Sequence, residues 1–170
     1  MDYVRLFYYI LPAYFANSSP VFFRGKTPLD GNRKLWDGNP ILGKNKTLRG
    51  TLFGLAAGFT IGLTLSILAP DVFFQGYPFA SKIAASALLS AGGVFGDLLG
   101  SFAKRRFSLK PGESVPVLDQ SLFFISSVAF ASPIYVPRID EFTFLLGLTL
   151  VLHVVSNVIA HRLNLKRVPW

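Results

Sequence analysis

The sequence predicts an all-α integral membrane protein of about five transmembrane helices, with its N-terminus outside and its C-terminus cytoplasmic. Three observations carry this. Apolar residues gather into long blocks instead of recurring at helix-face or strand spacing. Charged residues make up 15% of the chain, against roughly one quarter in soluble domains, and mean hydropathy is +0.46. The seventeen Lys and Arg are also distributed very unevenly among the connections.

The first expected span, residues 3–23, is broken by Arg5 and by two prolines. A cleaved signal peptide is disfavoured there, because no small-residue cleavage site follows a compact apolar core. Residues 17–49 carry seven basic residues (Arg24, Lys26, Arg33, Lys34, Lys44, Lys46 and Arg49), and 24–49 reads as a cytoplasmic loop. The second span, 50–70, has no charge, and the third, 83–103, has Asp97 alone. Segment 104–118 forms a second cytoplasmic loop with Lys104, Arg105, Arg106 and Lys110. Spans 119–137 and 142–160 follow; both are apolar, and beyond Asp119 neither holds a charge. The tail after Ala160 adds three more basic residues, whereas the opposite side keeps Arg5, Lys82 and Arg138. A single membrane domain of residues 1–170 is therefore expected, with two functional loops on the cytoplasmic side.

Composition also excludes some chemistry. With no cysteine, neither disulfides nor thiolate metal sites arise. Nucleic acid is a poor partner, because the basic residues are not interleaved with stacking aromatics in a soluble module. Anionic membrane lipid accounts for part of the net charge of +8.

Glycines recur every fourth residue in two spans, at Gly50, Gly54, Gly58 and Gly62 and at Gly92, Gly96 and Gly100. Such ridges let helices approach closely. Close approach would fix Asp97 relative to the first cytoplasmic loop.

An ionised carboxylate inside a spanning helix costs several kcal/mol unless a cation, metal or cavity receives it. Asp97 shares a helix face with Ser101 and Lys104, and lies a little below the cytoplasmic interface. An ion pair with one of the following basic residues is the plain structural reading. Asp119, after Pro116, suits the first turn of the fourth helix, where the dipole favours an acid. Together the two carboxylates, ringed by Lys and Arg, suit Mg²⁺ and phosphate, since Mg²⁺ takes one or two carboxylates plus phosphate oxygens. Asp97 and Asp119 are thus the expected metal ligands, with Lys104 acting beside them. Lys44, Lys46, Arg49, Arg105 and Lys110 are expected to bind the phosphates. The stretch "GNPILGKN" (38–45) resembles a phosphate-binding P-loop, but Asn45 replaces the Ser or Thr that would ligate Mg²⁺, and no strand precedes it. The long first loop, with Asp30, Trp36 and Asp37 among its basic residues, still offers backbone amides for phosphate. A polar stripe of His153, Asn157 and His161 on the fifth span reads as interhelical hydrogen bonding.

The stretch "GDLLGSFAKRRFSLKPGESVPVLDQ" (96–120) resembles the signature of the CTP-dependent cytidylyltransferases that include CDP-diacylglycerol synthase. "KTPLDGNRKLWDGNPILGKNKTLRG" (26–50), "HVVSN" and the closing "VPW" are similar to its archaeal branch, the CDP-archaeol synthases. The resemblance implies transfer of CMP from CTP to an isoprenoid ether lipid phosphate, 2,3-bis-O-geranylgeranylglycerol 1-phosphate, with Mg²⁺ required. It also implies that Asp97 and Asp119 match the metal-binding acids, and Lys104 and Arg105 the basic pair after the serine. The chain departs from the bacterial pattern after Asp119, where Gln120 and Leu122 replace an Arg and a second Asp, and no His-Gly-Gly precedes it. Fewer protein ligands are left for metal. Two other classes fit the same residues: a CTP-dependent prenol kinase, which would move the γ-phosphate, and a non-enzymatic transporter, which would turn over no CTP.

Overall fold

The computed structural model describes residues 2–23, 25–110, 113 and 115–162. The described chain is helical, as expected, and contains five α-helices: α1 (Tyr3–Ser18), α2 (Leu48–Leu68), α3 (Phe79–Arg106), α4 (Pro116–Ala131) and α5 (Ile139–Arg162). Local chemistry starts α1, α2 and α4 in a recognisable way. The Asp2 carboxylate accepts from the amides of Val4 and Arg5 to cap α1, and the Thr47 hydroxyl accepts from the Gly50 amide to cap α2. Pro116 opens α4 at a position where its missing N–H costs nothing. Lys104, Arg105 and Arg106 occupy the last turn of α3, where positive charge complements the helix dipole.

Among the described residues two helices, Leu48–Leu68 and Phe79–Arg106, are long and apolar enough to cross a membrane. Several expected boundaries need correction. The first span was expected to reach residue 23, but α1 ends at Ser18 and a 3₁₀ turn, Ser19–Val21, follows. Pro20 explains the break, because it withholds an N–H and disfavours an α conformation in the residue before it. The fourth span was expected to run to 137, yet α4 stops at Ala131, just before Pro133 and Pro137. With 16 residues each, α1 and α4 are about 24 Å long, short of the roughly 30 Å hydrocarbon core. The third helix is longer than expected at both ends. Lys82, placed by the sequence in an aqueous connection, is therefore buried in the first turns of α3, with its ammonium donating to the Pro70 carbonyl. Lys104, Arg105 and Arg106 likewise sit on helix α3 and not in a loop.

The glycine ridges lie at the helix contacts. A Cβ added at Gly54 would meet the Ala16 carbonyl oxygen at 2.6 Å, and one at Gly58 would meet that of Pro12 at 2.5 Å, so the α2 ridge seats α1. The same Gly58 position would stand 2.5 Å from the Ser90 hydroxyl of α3. On α3, a Cβ at Gly92 would collide with the Ser127 backbone of α4 at 2.5 Å, and Gly96 meets Leu122 and Phe123 in the same way. Buried Ser86, Ser90 and Ser127 satisfy their hydroxyls on carbonyls four residues back in their own helices. α3 is thus central, packed against α1, α2 and α4. Tyr14 and Thr149 join α1 to α5 by a 2.8 Å hydrogen bond between their hydroxyls.

Candidate active site

The C-terminal end of α1, the N-termini of α2 and α4 and the C-terminal end of α3 meet at one end of the bundle. Here the polar chemistry collects. Asp97 on α3 receives the ammonium of Lys46, from the segment just before α2, at 2.5 Å. Asp119, in the first turn of α4, receives that of Lys104 from α3, at 2.7 Å from Oδ1 and 2.9 Å from Oδ2. The Asp119 Oδ2 also accepts from the Val115 amide at 3.2 Å. Asp119 is thus a first-turn acid, as its sequence position suggests, and it also pairs with Lys104. Asp97 pairs with the first loop, and not with the basic residues that follow it on its own helix.

Gly100 brings the two acids together. A Cβ there would lie 3.5 Å from Asp119 Oδ1. On the same helix, residues three apart have Cβ atoms about 5–6 Å apart, so Asp97 flanks the same turn. A narrow cleft beside Asp97 is lined by Pro20, Asn45, Lys46, Thr47 and Leu98. Arg105 is 3% exposed, and its Nε and Nη1 lack hydrogen-bond partners. It lies within electrostatic reach of Glu113 and Asp119.

The first loop is folded by its acids. Asp30 accepts from the amides of Asn32 at 3.0 Å, Leu42 at 2.8 Å and Gly43 at 3.0 Å. Partial desolvation raises its pKa, but the amides of Gly43, Leu42 and Asn32 outweigh this and hold it below the ordinary carboxylate value. The amides of Leu42 and Gly43, within the P-loop-like stretch, are thus taken by Asp30. Asp37 repeats the device, accepting from the Asn39 amide at 3.1 Å. Each acid is followed by Gly and Asn, and Gly31 and Gly38 adopt φ of +60° and +75°, which glycine tolerates best. The repeated Asp-Gly-Asn is the turn signal that sequence reasoning overlooked.

Arg106 clasps this loop to α3. Its guanidinium donates to Asp37 Oδ2 at 2.7 Å and to the Pro40 carbonyl at 2.5 Å, and lies over the Phe102 ring at 5.1 Å from its centroid. Asn39 adds a contact to the Ser108 hydroxyl at 3.4 Å. The sequence reading counted Arg106 among the cations flanking the two aspartates that could hold a polyphosphate; the structure turns its guanidinium to the first loop.

The other expected phosphate binders are dispersed. Lys44 and Lys110 are exposed, and neither forms an ion pair among the described residues. Arg49 is exposed too and faces away from Asp97, into a groove with Lys26, Leu48, Leu52 and Phe53. The side chains of His153, Asn157 and His161 lie outside the described residues, as does the closing Val-Pro-Trp.

Oxygen donors and lysines at one end of a helical bundle narrow the chemistry but do not fix the family. A family model described as CarS-like, CDP-archaeol synthase, matches residues 3–170. The chain belongs to the CDP-archaeol synthase family. A relative from Pyrococcus furiosus named CDP-archaeol synthase is 44% identical over 167 residues, covering 98% of each chain. Another so named, from Methanococcus maripaludis, is 40% identical over 168 residues, covering 96% of this chain and 94% of its own. A solved structure described as an intramembrane enzyme for archaeal membrane lipids biosynthesis superposes with a TM-score of 0.80 at 30% identity, covering 89% of this chain and 91% of that one. Family and fold agree with the cytidylyltransferase resemblance read from residues 96–120 and the archaeal one read from residues 26–50.

Among the described residues no group of three or more His, Cys, Asp or Glu side chains is arranged to hold a metal. Asp97 and Asp119 nevertheless fit a hard cation. Both are carboxylates, and Mg²⁺ commonly uses one or two of these and completes its shell from phosphate and water.

Proposed function

We propose that the chain is a CTP:2,3-bis-O-geranylgeranylglycerol 1-phosphate cytidylyltransferase, forming an unsaturated CDP-archaeol and pyrophosphate. The observation that carries this reading is the joint placement of Asp97–Lys46 and Asp119–Lys104 at one end of the bundle. In the reaction, an oxygen of the lipid phosphate forms a bond to the α-phosphorus of CTP. The α–β phosphoanhydride bond breaks, and its electron pair leaves with pyrophosphate. A phosphate monoester is already largely ionised near neutral pH, so no strong general base is needed.

Asp97 and Asp119 would hold Mg²⁺ with the phosphate oxygens, and the ion would supply charge neutralisation on the reacting phosphates. Lys46 beside Asp97, and Lys104 and Arg105 beside Asp119, would hold the triphosphate, opposing charge as it grows on the leaving pyrophosphate. Exposed Lys44 and Lys110 would draw CTP in from the aqueous side. Arg49 stands where cations border the apolar surface of Leu52 and Phe53, which suits a lipid phosphate better than a nucleotide. The prenyl chains would then run along the outer face of α2.

The proposal includes five spans, with the N-terminus outside and the two charged segments cytoplasmic, on the strength of the Lys/Arg asymmetry. The test combines purified protein, Mg²⁺, a candidate lipid phosphate and CTP labelled at either the α- or the γ-phosphate. Label from the α position should enter the lipid. Lipid labelled from the γ position would identify a kinase, and no labelled lipid from either would reject both.

A further inference from the structure

The two lysines do not contact their aspartates in the same way. Lys104 spans both carboxylate oxygens of Asp119, at 2.7 and 2.9 Å, while Lys46 engages Asp97 at Oδ2. The Lys104 ammonium and the Val115 amide together take most of the acceptor positions of Asp119, so a divalent cation there would meet positive charge at close range unless Lys104 moved. Formal charge leads to the same conclusion. Lys46 with Asp97, Lys104 with Asp119 and Arg105 with Glu113 cancel one another, so the cluster is neutral and does not attract a bare cation. A nucleoside triphosphate that carries one divalent cation remains an anion, and it offers phosphate oxygens to any ammonium displaced from a carboxylate.

We propose that Lys104, assisted by Lys46, stands in for the divalent cation, so that metal enters only together with the nucleotide. On entry the ammonium of Lys104 passes from Asp119 to a phosphate oxygen, and Asp119 is freed for the metal. The exchange rests on the cytidylyltransferase reading above and adds to it an obligatory order: metal and nucleotide bind as one species. It also explains why a lone Asp119 in the first turn of α4 suffices where the bacterial pattern carries a second acid. The second acid's place is Leu122, and the cation next to Asp119 is protein until substrate arrives.

The test reads metal binding directly and does not rely on turnover. Mn²⁺ binding to the full chain in detergent is followed by electron paramagnetic resonance, with and without CTP, and melting temperature is measured on the same samples. Wild-type protein should bind Mn²⁺ at least about tenfold more tightly with CTP than without it. Lys104→Gln should bind Mn²⁺ without CTP at least about tenfold more tightly than wild type, because Asp119 is uncovered. Lys46→Gln, a second variant in case the first fails to fold, should show a smaller gain in the same direction. Arg138→Gln, exposed at the opposite end of the bundle, should match wild type. Wild type that binds Mn²⁺ equally with and without CTP, or lysine variants that gain nothing, would overturn the exchange while leaving CMP transfer intact. A wild-type protein that transfers no α-labelled CMP would remove the reading on which the exchange rests.

Discussion

The two ends of the bundle use charge in opposite ways. At one end, Asp97, Asp119, Lys46, Lys104 and Arg105 are drawn together at the rim of an apolar bundle, each half-buried or more. At the other end, the charges serve as local caps. Asp2 closes the start of α1, and Glu141 accepts from the Tyr135 hydroxyl at 2.5 Å and from the Arg138 amide at 2.9 Å. Aromatic rings fill the rest: Tyr9 packs 5.5 Å from Phe74 and 5.4 Å from Tyr135, centroid to centroid. A cavity of about 100 Å³ at that end is lined by Arg5, Tyr9, Phe74 and Tyr135 among others, yet its carboxylates are already engaged. Carboxylates that only close a helix need no lysine from a distant segment. Asp97 and Asp119 each take one, from Lys46 and from Lys104.

Substitutions at the two ends should therefore differ in kind. The largest of four effects is expected from Arg106→Gln, which removes two charge-assisted hydrogen bonds between the first loop and α3. Apparent KM for CTP should rise about tenfold, the equivalent of roughly 1.4 kcal/mol, with kcat changed less. Exchanging the charges as Asp37→Arg with Arg106→Asp should recover part of this loss. Steady-state kinetics on both proteins would show it, and an unchanged KM would sever the clasp from the site. Arg49→Gln should act on the other substrate, raising apparent KM for the lipid phosphate about three- to tenfold while sparing CTP. Equal effects on both substrates would return Arg49 to the triphosphate.

A smaller effect is expected from acid. The carboxyl of Asp30 has a pKa below its ordinary value, so its contribution is complete above that ordinary value and is lost as pH falls through the lowered one. Pepsin should begin to cut within residues 30–43 only toward the acid end of a titration from about pH 5 to pH 2. Asp30→Asn should be cut throughout that range. The smallest effect belongs to the aromatic end. The Tyr9 hydroxyl is buried and lacks a hydrogen-bond partner, so Tyr9→Phe removes a group that contributes nothing there. Melting temperature should stay level or rise slightly, with CMP transfer unchanged. A fall in transfer would show that the two ends are coupled.

The sequence made the helices and the acids visible, and left the connections between them obscure. Long apolar blocks, one without charge and one with Asp97 alone, mark α2 and α3, because a spanning helix tolerates little else. Glycines at every fourth position announced their close packing, and that packing does set Asp97 beside the segment that leads into α2. The partner of Asp97 was not legible. Lys104 stands seven residues away on the same face, whereas Lys46 is 51 residues away in sequence and arrives only because Thr47 starts α2 beside α3. Helix ends were misjudged where prolines cut apolar runs, since composition continues past Pro20 and Pro133 while hydrogen bonding does not. The loop's interior was hidden for a related reason. Basic residues dominate its composition, but its shape follows from two acids that bind backbone amides.

The central claim is that Asp97 is held at the membrane boundary to bind metal and phosphate, and not merely to pair with Lys46. Asp97→Asn tests it most directly, because the amide keeps the size of the side chain and removes the charge. Mg²⁺-dependent transfer of α-labelled CMP and melting temperature should be measured on one preparation. We predict transfer reduced at least about a thousandfold, roughly 4 kcal/mol, in a protein that still inserts and melts within a few degrees of wild type. An Asp97→Asn protein that melts lower because Lys46 is left unpaired, and that retains activity in proportion to its folded fraction, would contradict the account.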